Sequence, residues 1–286
     1  MNVRPRPRGN MRITTDEIPL LRSLLTLASV IEARDPYTGG HIWRVSRYAR
    51  ALAVKIGLDR KEVFKTELGG LVHDLGKIGV PDAILGKHGP LTPEEYAIIK
   101  RHPELERRII ASHPMARYVI EAVFRHHERV DGKGYPGRLN GEKLPLTGRI
   151  VSIADAFDAM TSTRSYQPRM SPDKAYQIIE NEKGKQFDRA FTEVFLTLGR
   201  DGSLDHIIGH CGDARLMLTC PKCGPIVAPT TKHKDGNAIY CPSCSGEFVL
   251  HAGRGTYELE RTGRSGQASS IAPDTDTIEE FILGQS

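Results

Sequence analysis

The segment LVHDLGK, residues 71–77, sets a histidine and an aspartate side by side at the end of an apolar run. Apolar residues at three- and four-residue intervals mark a helix in DEIPLLRSLLTLASVIEAR, residues 16–34. Similar segments predict further helices over about 41–57, 60–73, 92–110, 114–127, 147–161, 171–183 and 188–198. No segment of 16–200 alternates like a strand, so we predict a mainly α-helical bundle there.

Length and composition allow a helical core with a small second module. The chain has 286 residues, of which 39% are hydrophobic and 6% aromatic, as in helical proteins rich in Leu, Ile and Ala. No apolar run approaches the roughly 20 residues that span a bilayer. Residues 1–15 are basic and lack a signal-peptide core, so we expect a flexible arm and a cytoplasmic protein without membrane contact.

The net charge of +5 is spread along the chain rather than gathered in one block. Charge therefore gives little support to nucleic-acid binding, although it does not exclude it. A small anionic substrate fits this balance equally well.

The histidines of the helical part stand beside residues that favour a metal site. His73-Asp74 and His126-His127 both end predicted apolar helices, and His102 lies between them. Asp155 and Asp158 lie one turn apart on another helix. Imidazole and carboxylate together suit Fe, Mn or Zn, and a carboxylate can bridge two ions. A single buried histidine is more often a hydrogen-bonded core residue, but two such doublets favour metal binding.

Three segments together resemble the HD-GYP phosphodiesterases: HDLGK at 73–77, HHERVDGKGYPGRLNG at 126–141 and RIVSIADAFDAMTSTRSY at 149–166. The resemblance covers about residues 28–200. It implies an α-helical domain of the HD superfamily that opens cyclic di-GMP to linear pGpG and, in some members, goes on to GMP.

The resemblance also implies roles for individual residues. The family's metal ligands correspond to His73, Asp74 and Asp155 for one ion and to His102, His126 and His127 for the other, with Asp74 bridging. Lys77 matches the lysine beside the hydroxide and the scissile phosphate, and the substrate-facing positions match Tyr135, Asp158 and Arg164. Two divalent ions, Fe or Mn by preference, would lower the pKa of a shared water and neutralise charge on phosphoryl oxygens.

Three positions depart from the family pattern. Tyr37 stands four residues before His41, where three-metal members carry Glu, so we expect two metals, with His41 as a phosphate contact or peripheral ligand. Gln167 replaces a usual basic residue and removes one charge near the substrate. Glu106 stands where Gly is common, four residues after His102, and is expected to disturb helix packing or that ligand.

Beyond residue 200 the sequence changes character. Cys220-Pro-Lys-Cys223 and Cys241-Pro-Ser-Cys244 are spaced as in a four-cysteine zinc ribbon, and the β-prone pieces RLMLT, NAIYC, EFVLH and TYELER surround them. Four thiolates leave no open coordination position. We therefore predict one structural zinc in a small β-rich module.

The predicted borders are 1–15 for the arm, 16–200 for the catalytic domain, 201–213 for a linker, 214–262 for the module and 263–286 for a tail. In the linker, DHIIGHC is predicted to be helical, with Cys211 unpaired or in a metal contact of its own beside His206 and His210. The tail is expected to be disordered, with IEEFIL, residues 278–283, as a docking segment for a partner.

Three functions compete. The first is a metal-dependent cyclic di-GMP phosphodiesterase. The second is an HD-type phosphohydrolase of another nucleotide, such as a mixed cyclic dinucleotide, which Gln167 keeps open. The third is a catalytically weak signalling or scaffold protein whose HD-GYP surface binds a protein partner and whose zinc module supplies further contacts. Its weakness is that buried imidazoles and carboxylates without partners are unfavourable. The sequence does not decide whether the protein forms a dimer through its first helix.

Overall fold

A computed structural model describes residues 13–35, 38–87, 89–162, 169–213, 215–253, 256–266 and 275–285. Helices α1 to α11 span Glu17–Arg34, His41–Lys55, Arg60–Val72, Asp82–Leu85, Pro93–Ile99, His102–Ile110, Ala116–Arg125, Leu146–Thr161, Pro172–Asn181, Arg189–Arg200 and Thr275–Leu283. Strands β1 to β7 span His210–Gly212, Arg215–Leu216, Leu218–Thr219, Ile226–Val227, Ala238–Tyr240, Gly246–Ala252 and Tyr257–Ser265. The predicted class, mainly α-helical with a small β-rich C-terminal module, is confirmed.

Helix α2 lies at the centre of the bundle, where it packs against α3 and α8. It buries Val45, Ala49 and Leu52 completely, the three- and four-residue spacing of a helix face that meets a core. Buried residues form one apolar cluster around α2, α8, α9 and α10 and a second around α1, α3, α7 and α11. Burial of these faces is the main stabilising contribution to such a bundle.

Two predicted helix starts are confirmed by their caps. The Thr92 hydroxyl accepts from the Glu95 N–H at 3.3 Å, and the Glu95 carboxylate accepts from the Thr92 N–H at 2.7 Å, which completes a capping box. The Ser171 hydroxyl accepts from the Lys174 N–H, and Pro172 occupies the first helical position. These two caps therefore set the starts of α5 and α9.

The single helix predicted over 92–110 is wrong, because two helices, α5 and α6, meet at residues 100–101. Pro103 causes the break, since a proline ring within a continuous helix would clash with the carbonyl four residues earlier, that of Ile99. The Ile99 carbonyl instead accepts from His102 Nδ1 at 2.8 Å. The break therefore places His102 at the start of a helix and orients its ring.

The C-terminal module is built from short antiparallel strands. Strands β5, β6 and β7 form one sheet, in which Ile239 lies opposite Phe248 and Leu250 opposite Leu259, while β1 pairs with β2 and β3 with β4. Phe248 and Leu250 are buried beside the paired cysteines in a small core. A core of this size needs a further crosslink to fold, such as a metal ion.

The helix predicted for DHIIGHC is wrong. Residues 201–209 form consecutive turns, and His210 begins β1. Gly202 and Gly209 both have φ of 77°, a left-handed conformation that interrupts a helix. Between them, Leu204 and Ile207 are buried against the helical core, so the apolar residues that suggested a helix anchor a turn instead.

The disordered tail predicted over 263–286 is wrong for the residues that the structure describes. Residues up to Ser265 complete β7, and Thr275–Leu283 form α11. Ile278, Phe281 and Ile282 are buried in the cluster that includes α1 and α3, and the Phe281 ring lies 5.9 Å from that of Phe64. The expected docking segment thus packs on its own chain, because its helical apolar face covers part of the bundle.

Candidate metal centre

The helix ends bring the predicted ligands together. His73 and Asp74 follow α3, His102 begins α6, His126 and His127 follow α7, and Asp155 lies within α8. His41, the first residue of α2, points into the same place. Residues far apart in the chain thus form one compact cluster of imidazoles and carboxylates.

Three of the histidines are held in the same way, through Nδ1. Each donates to the carbonyl oxygen three residues earlier, at 2.9, 2.8 and 2.8 Å: His73 to Gly70, His102 to Ile99 and His126 to Val123. A carbonyl oxygen only accepts, so Nδ1 carries a proton and Nε2 is the nitrogen of each ring that faces the cluster. Metal-binding histidines are commonly oriented by such a bond.

The Nε2 atoms meet in pairs. Nε2 of His102 lies 3.3 Å from Nε2 of His126, and Nε2 of His41 lies 3.3 Å from Nε2 of His73. In the first pair Nδ1 holds the proton of each neutral ring, so two Nε2 lone pairs face each other and repel unless a cation lies between or beside them. Burial lowers the pKa of His102 to about 3 and that of His126 well below its usual value, so a proton is a poor cation at either ring. A metal ion therefore fits the pair of His102 and His126.

Asp74 lies between the two pairs of rings. Its Oδ2 lies 3.5 Å from Nε2 of both His41 and His73, and its Oδ1 lies 3.6 Å from Nε2 of His102. Burial opposes its charge, but the Lys77 ammonium and the nearby imidazoles hold its pKa well below the usual range. Asp74 is therefore an ionised carboxylate with one oxygen directed to each side.

The donor atoms separate into two groups, each lying within 4.8 Å of one another. One group is His41, His73 and Asp155, and the other is His102, His126 and His127. Asp155 Oδ1 lies 3.5 Å from Nε2 of His41 and 3.7 Å from that of His73. Nitrogen and carboxylate donors in this proportion suit Fe, Mn or Zn.

Gly76 allows the chain that follows Asp74 to lie directly against His102 at the start of α6. A Cβ at this position would lie 2.0 Å from the carbonyl oxygen of His102 and 2.8 Å from Cβ of Glu106. The chain after Asp74 therefore passes directly against the start of α6. One residue later, Lys77 Nζ lies 2.7 Å from Asp74 Oδ2, so its ammonium lies beside the cluster.

Asp158 does not occupy the substrate-facing position expected for it. Its carboxylate is fully buried and accepts from His41 Nδ1 at 2.7 Å and from Arg44 Nε at 2.6 Å. The expectation was wrong because Asp158 lies on the inward face of α8, where its charge is neutralised within the core. Arg44 was not identified from the sequence, although its position three residues after His41 places both on one helix face.

His41 was expected to contact phosphate or to bind metal peripherally. Its Nδ1 faces the Asp158 carboxylate, and its Nε2 faces His73, Asp74 and Asp155. Burial opposes its protonation, but the surrounding carboxylates outweigh that effect and raise its pKa to about 9. Its geometry is that of a member of the first donor group.

Glu106 is accommodated without displacing its neighbour. Its carboxyl group is fully buried, and burial together with the Asp74 charge raises its pKa well above the usual range. His102 keeps its bond to Ile99 and its position opposite His126, so the expected disturbance of that ligand is absent. A neutral carboxyl group explains this tolerance.

A cavity of about 940 Å³ opens above the cluster and is lined by Asp74, Asp155 and the second group of histidines. The Tyr135 ring stacks on that of His127, with centroids 4.8 Å apart and planes inclined by 26°, and it also lines the cavity. Six cationic side chains also contribute to the lining, among apolar residues and the carboxylates of Asp35 and Glu128: Lys77, Lys87, Lys100, Arg129, Lys133 and Arg138. Tyr37, Arg164 and Gln167 lie outside the described residues.

The four paired cysteines form a separate metal-capable group. Cys223 Sγ lies 3.6 Å from that of Cys220 and 3.5 Å from that of Cys241, and Cys220 Sγ lies 3.8 Å from that of Cys244. Sulfur ligands about 2.3 Å from a tetrahedral zinc lie about 3.8 Å apart, so the geometry fits. Cys211 belongs to no metal-capable group among the described residues.

Comparison with known proteins identifies the family of the helical part. The family described as HD domain matches residues 25–191, more than half of the chain. The chain belongs to the HD domain family. In the described part of this HD-domain protein, no helix combines the length and the apolar character needed to cross a bilayer.

Three curated relatives are informative. The chain is 38% identical over 194 residues to the cyclic di-GMP phosphodiesterase response regulator RpfG of Xanthomonas campestris pv. campestris. That match covers 67% of this chain and 51% of the relative. It is 39% identical over 186 residues to a cyclic di-GMP phosphodiesterase of Thermotoga maritima, covering 64% and 50%. It is 34% identical over 197 residues to the 3'3'-cGAMP-specific phosphodiesterase 2 of Vibrio cholerae, covering 65% and 38%. This HD-domain protein thus spans about half or less of the length of these relatives.

Proposed function

We propose that this HD-domain protein is a metal-dependent phosphodiesterase that hydrolyses a cyclic dinucleotide, with cyclic di-GMP as substrate and linear pGpG as the first product. The observation that supports this most strongly is the meeting of imidazole Nε2 atoms in two pairs, each 3.3 Å apart, on either side of Asp74. That arrangement fits two neighbouring cations, and the adjacent cavity has room and positive charge for a dianionic nucleotide.

In this proposal each donor group holds one ion, Fe or Mn. His41, His73 and Asp155 would hold the first, His102, His126 and His127 the second, and Asp74 would bridge them. When bound, two such ions would supply a water of lowered pKa and neutralise charge on the phosphoryl oxygens. His41 is thereby included among the ligands.

The protein's own residues would position the substrate. Lys77 restrains the bridging carboxylate and adds positive charge beside the scissile phosphate. Tyr135, braced by its stack on His127, offers an aromatic face and a hydroxyl at the cavity wall. The cationic side chains of the cavity would bind the second phosphate and orient the cyclic dinucleotide for in-line attack. Arg164 is proposed as a further cation for the substrate.

A metal count combined with turnover tests this function. The protein would be purified anaerobically, its Fe, Mn and Zn counted, and cyclic di-GMP conversion followed by chromatography beside Asp74→Ala. We expect two ions in the HD site and product formation that Asp74→Ala abolishes. Two bound ions without product from any cyclic dinucleotide would favour a signalling or scaffold protein.

A second substrate deserves the same assay. The relative from Vibrio cholerae is named as specific for 3'3'-cGAMP, and it matches a similar share of this chain. Parallel kcat/KM values for cyclic di-GMP and 3'3'-cGAMP would decide between the two, because both ligands carry two phosphates and differ in one base.

The cysteine module is proposed to hold one structural zinc through Cys220, Cys223, Cys241 and Cys244. Closed thiolate coordination leaves no position for substrate. One Zn per chain that persists in Asp74→Ala would support this assignment.

A further inference from the structure

One buried side chain, Arg44, joins the metal centre to the cysteine module, by which we mean strands β1 to β7 and the loops between them. Its Nε donates to Asp158 Oδ1 at 2.6 Å, and its Nη2 donates to Oδ2 at 3.1 Å. The third nitrogen, Nη1, donates to the carbonyl oxygens of His210 at 2.8 Å and Gly39 at 3.1 Å. One edge of the guanidinium therefore binds Asp158, and the other binds the first residue of β1.

Asp158 in turn orients His41. Its Oδ2 accepts from His41 Nδ1 at 2.7 Å, which leaves His41 Nε2 directed at His73. The chain of contacts runs from the His210 carbonyl through Arg44 and Asp158 to His41. A guanidinium is planar and its donors have fixed directions, so displacement of β1 would change how Asp158 and His41 are held.

The start of α2 is also packed directly against the module. Gly40 has φ of 73°, and a Cβ there would lie 2.5 Å from the Cys211 Cα. A Cβ on Gly39 would lie 3.0 Å from Cγ2 of Ile226. The two residues before His41 therefore fit closely against strands β1 and β4.

Strand β4 depends on the cysteine loop. The Cys220 N–H donates to the Pro225 carbonyl at 2.8 Å, and the Gly224 N–H donates to the Cys220 carbonyl at 3.0 Å. These bonds close the loop that carries Cys220 and Cys223 and lead directly into Ile226. Metal binding by the thiolates would thus set the strand that contacts Gly39.

Helix α11 anchors the module on another side. The Asp276 carboxylate accepts from the Thr231 N–H at 2.6 Å and pairs with Arg215 at 3.4 Å. Phe281, on the same helix, packs against Phe64 of α3. The module is therefore seated on the bundle at two places, as a positioning role requires.

We propose that the metal-loaded cysteine module positions the HD metal centre, and that Arg44 is the positioning residue that transmits the location of β1 to His41. The proposal rests on the proposed metal centre but not on the choice of substrate. Without the folded module, the group of His41, His73 and Asp155 binds its ion more weakly, while the group of His102, His126 and His127 retains its ion.

Mn²⁺ binding to the full-length protein tests this coupling. The protein and the double variant C220S/C223S would be prepared free of iron and manganese, and their zinc content counted. Titration followed by the electron paramagnetic resonance signal of free Mn²⁺ gives the number and affinity of sites. We expect one of two sites to weaken about 10- to 100-fold in the variant, the size typical of lost support around a metal ligand.

Two further variants isolate the cause. Arg44→Lys keeps a positive charge beside Asp158 but lacks the donors to reach both Asp158 and the His210 carbonyl, so it should weaken the same Mn²⁺ site with zinc still bound. His251→Gln changes an exposed residue of the same module that lies in a different sheet from β1, and it should leave both sites unchanged.

The outcomes are distinct. Absence of Mn²⁺ binding in the unmodified protein would refute the proposed metal centre, and the coupling with it. Two Mn²⁺ sites of unchanged affinity in both C220S/C223S and Arg44→Lys, with an intact helical circular dichroism signal, would refute the coupling alone. If C220S/C223S loses that helical signal, Arg44→Lys decides: a weakened site supports the coupling, and an unchanged one overturns it.

Discussion

The Nε2 atoms of His102 and His126 face each other at 3.3 Å while Nδ1 of each ring is bonded to a backbone carbonyl. The backbone of α5, through Ile99, and of α7, through Val123, thereby fixes both lone pairs toward one point before any ion arrives. Preorganisation of this kind raises metal affinity, because the ligands lose little freedom on binding.

Replacing His126 should remove one HD-site ion. We expect His126→Gln to lose one of two bound ions and at least about 100-fold in cyclic dinucleotide turnover, because two-metal catalysis needs both cations. Metal analysis and chromatography measure the two effects. His206→Gln is a matched control, since His206 is exposed and outside the cluster. Full activity with a single ion remaining would contradict the two-metal proposal.

Acid should destabilise the metal-free protein. Burial lowers the pKa of His102 to about 3 and of His127 to about 4 in the folded state, below the ordinary value of 6.5. The unfolded chain therefore binds protons that the folded chain excludes, and the free energy of unfolding falls as pH decreases from about 6.5 toward 4. Urea unfolding across this range measures the slope.

The contribution of His41 to the free energy of unfolding changes with pH in the opposite direction and over a different pH range. Although burial opposes its charge, nearby carboxylates raise its pKa to about 9, so its stabilising contribution is complete below pH 6.5 and is lost as pH rises through about 9. It adds no slope in the acid range. His102→Gln should therefore flatten the acid slope, and an unchanged slope in that variant would count against a buried neutral His102.

Gly76 should tolerate no side chain. A Cβ in Gly76→Ala would lie 2.0 Å from a backbone oxygen, so we expect a loss of about 1–3 kcal/mol in the free energy of unfolding, the usual range for overpacking, together with weaker metal binding. Gly79→Ala is the matched control, because its Cβ would meet only the flexible end of Leu105. Equal losses in the two variants would show that backbone crowding is not the cause.

Glu106 should behave as a neutral group. Glu106→Gln keeps its shape without a titrating proton, so we expect a change within about 1 kcal/mol in the free energy of unfolding near neutral pH. Glu106→Ala leaves a cavity and should lose about 2 kcal/mol or more. Chemical denaturation of both variants measures the difference, and a large loss in Glu106→Gln would indicate that the folded protein needs a charged carboxylate here.

The sequence predicted the helices because their apolar spacing and caps are local signals, as at Thr92 and Ser171. It also predicted the residues that the structure gathers into the cluster, because the resemblance lies in contiguous motifs. The ion pair between Arg44 and Asp158 joins residues 114 positions apart, so no local sequence pattern predicts it. For the same reason the sequence predicts a disordered tail where α11 lies, because the surface that α11 covers forms only when the bundle has folded.

The seating of α11 has a consequence for shortened versions of the protein. Phe64 in α3 packs against Phe281, more than two hundred residues later in the chain. A version truncated before Thr275 would keep every proposed metal ligand and every paired cysteine. It would nevertheless expose a strip of aromatic and aliphatic surface along α1 and α3 to water, and such strips promote self-association. Aggregation of that version would reflect an uncovered bundle rather than a failed metal centre.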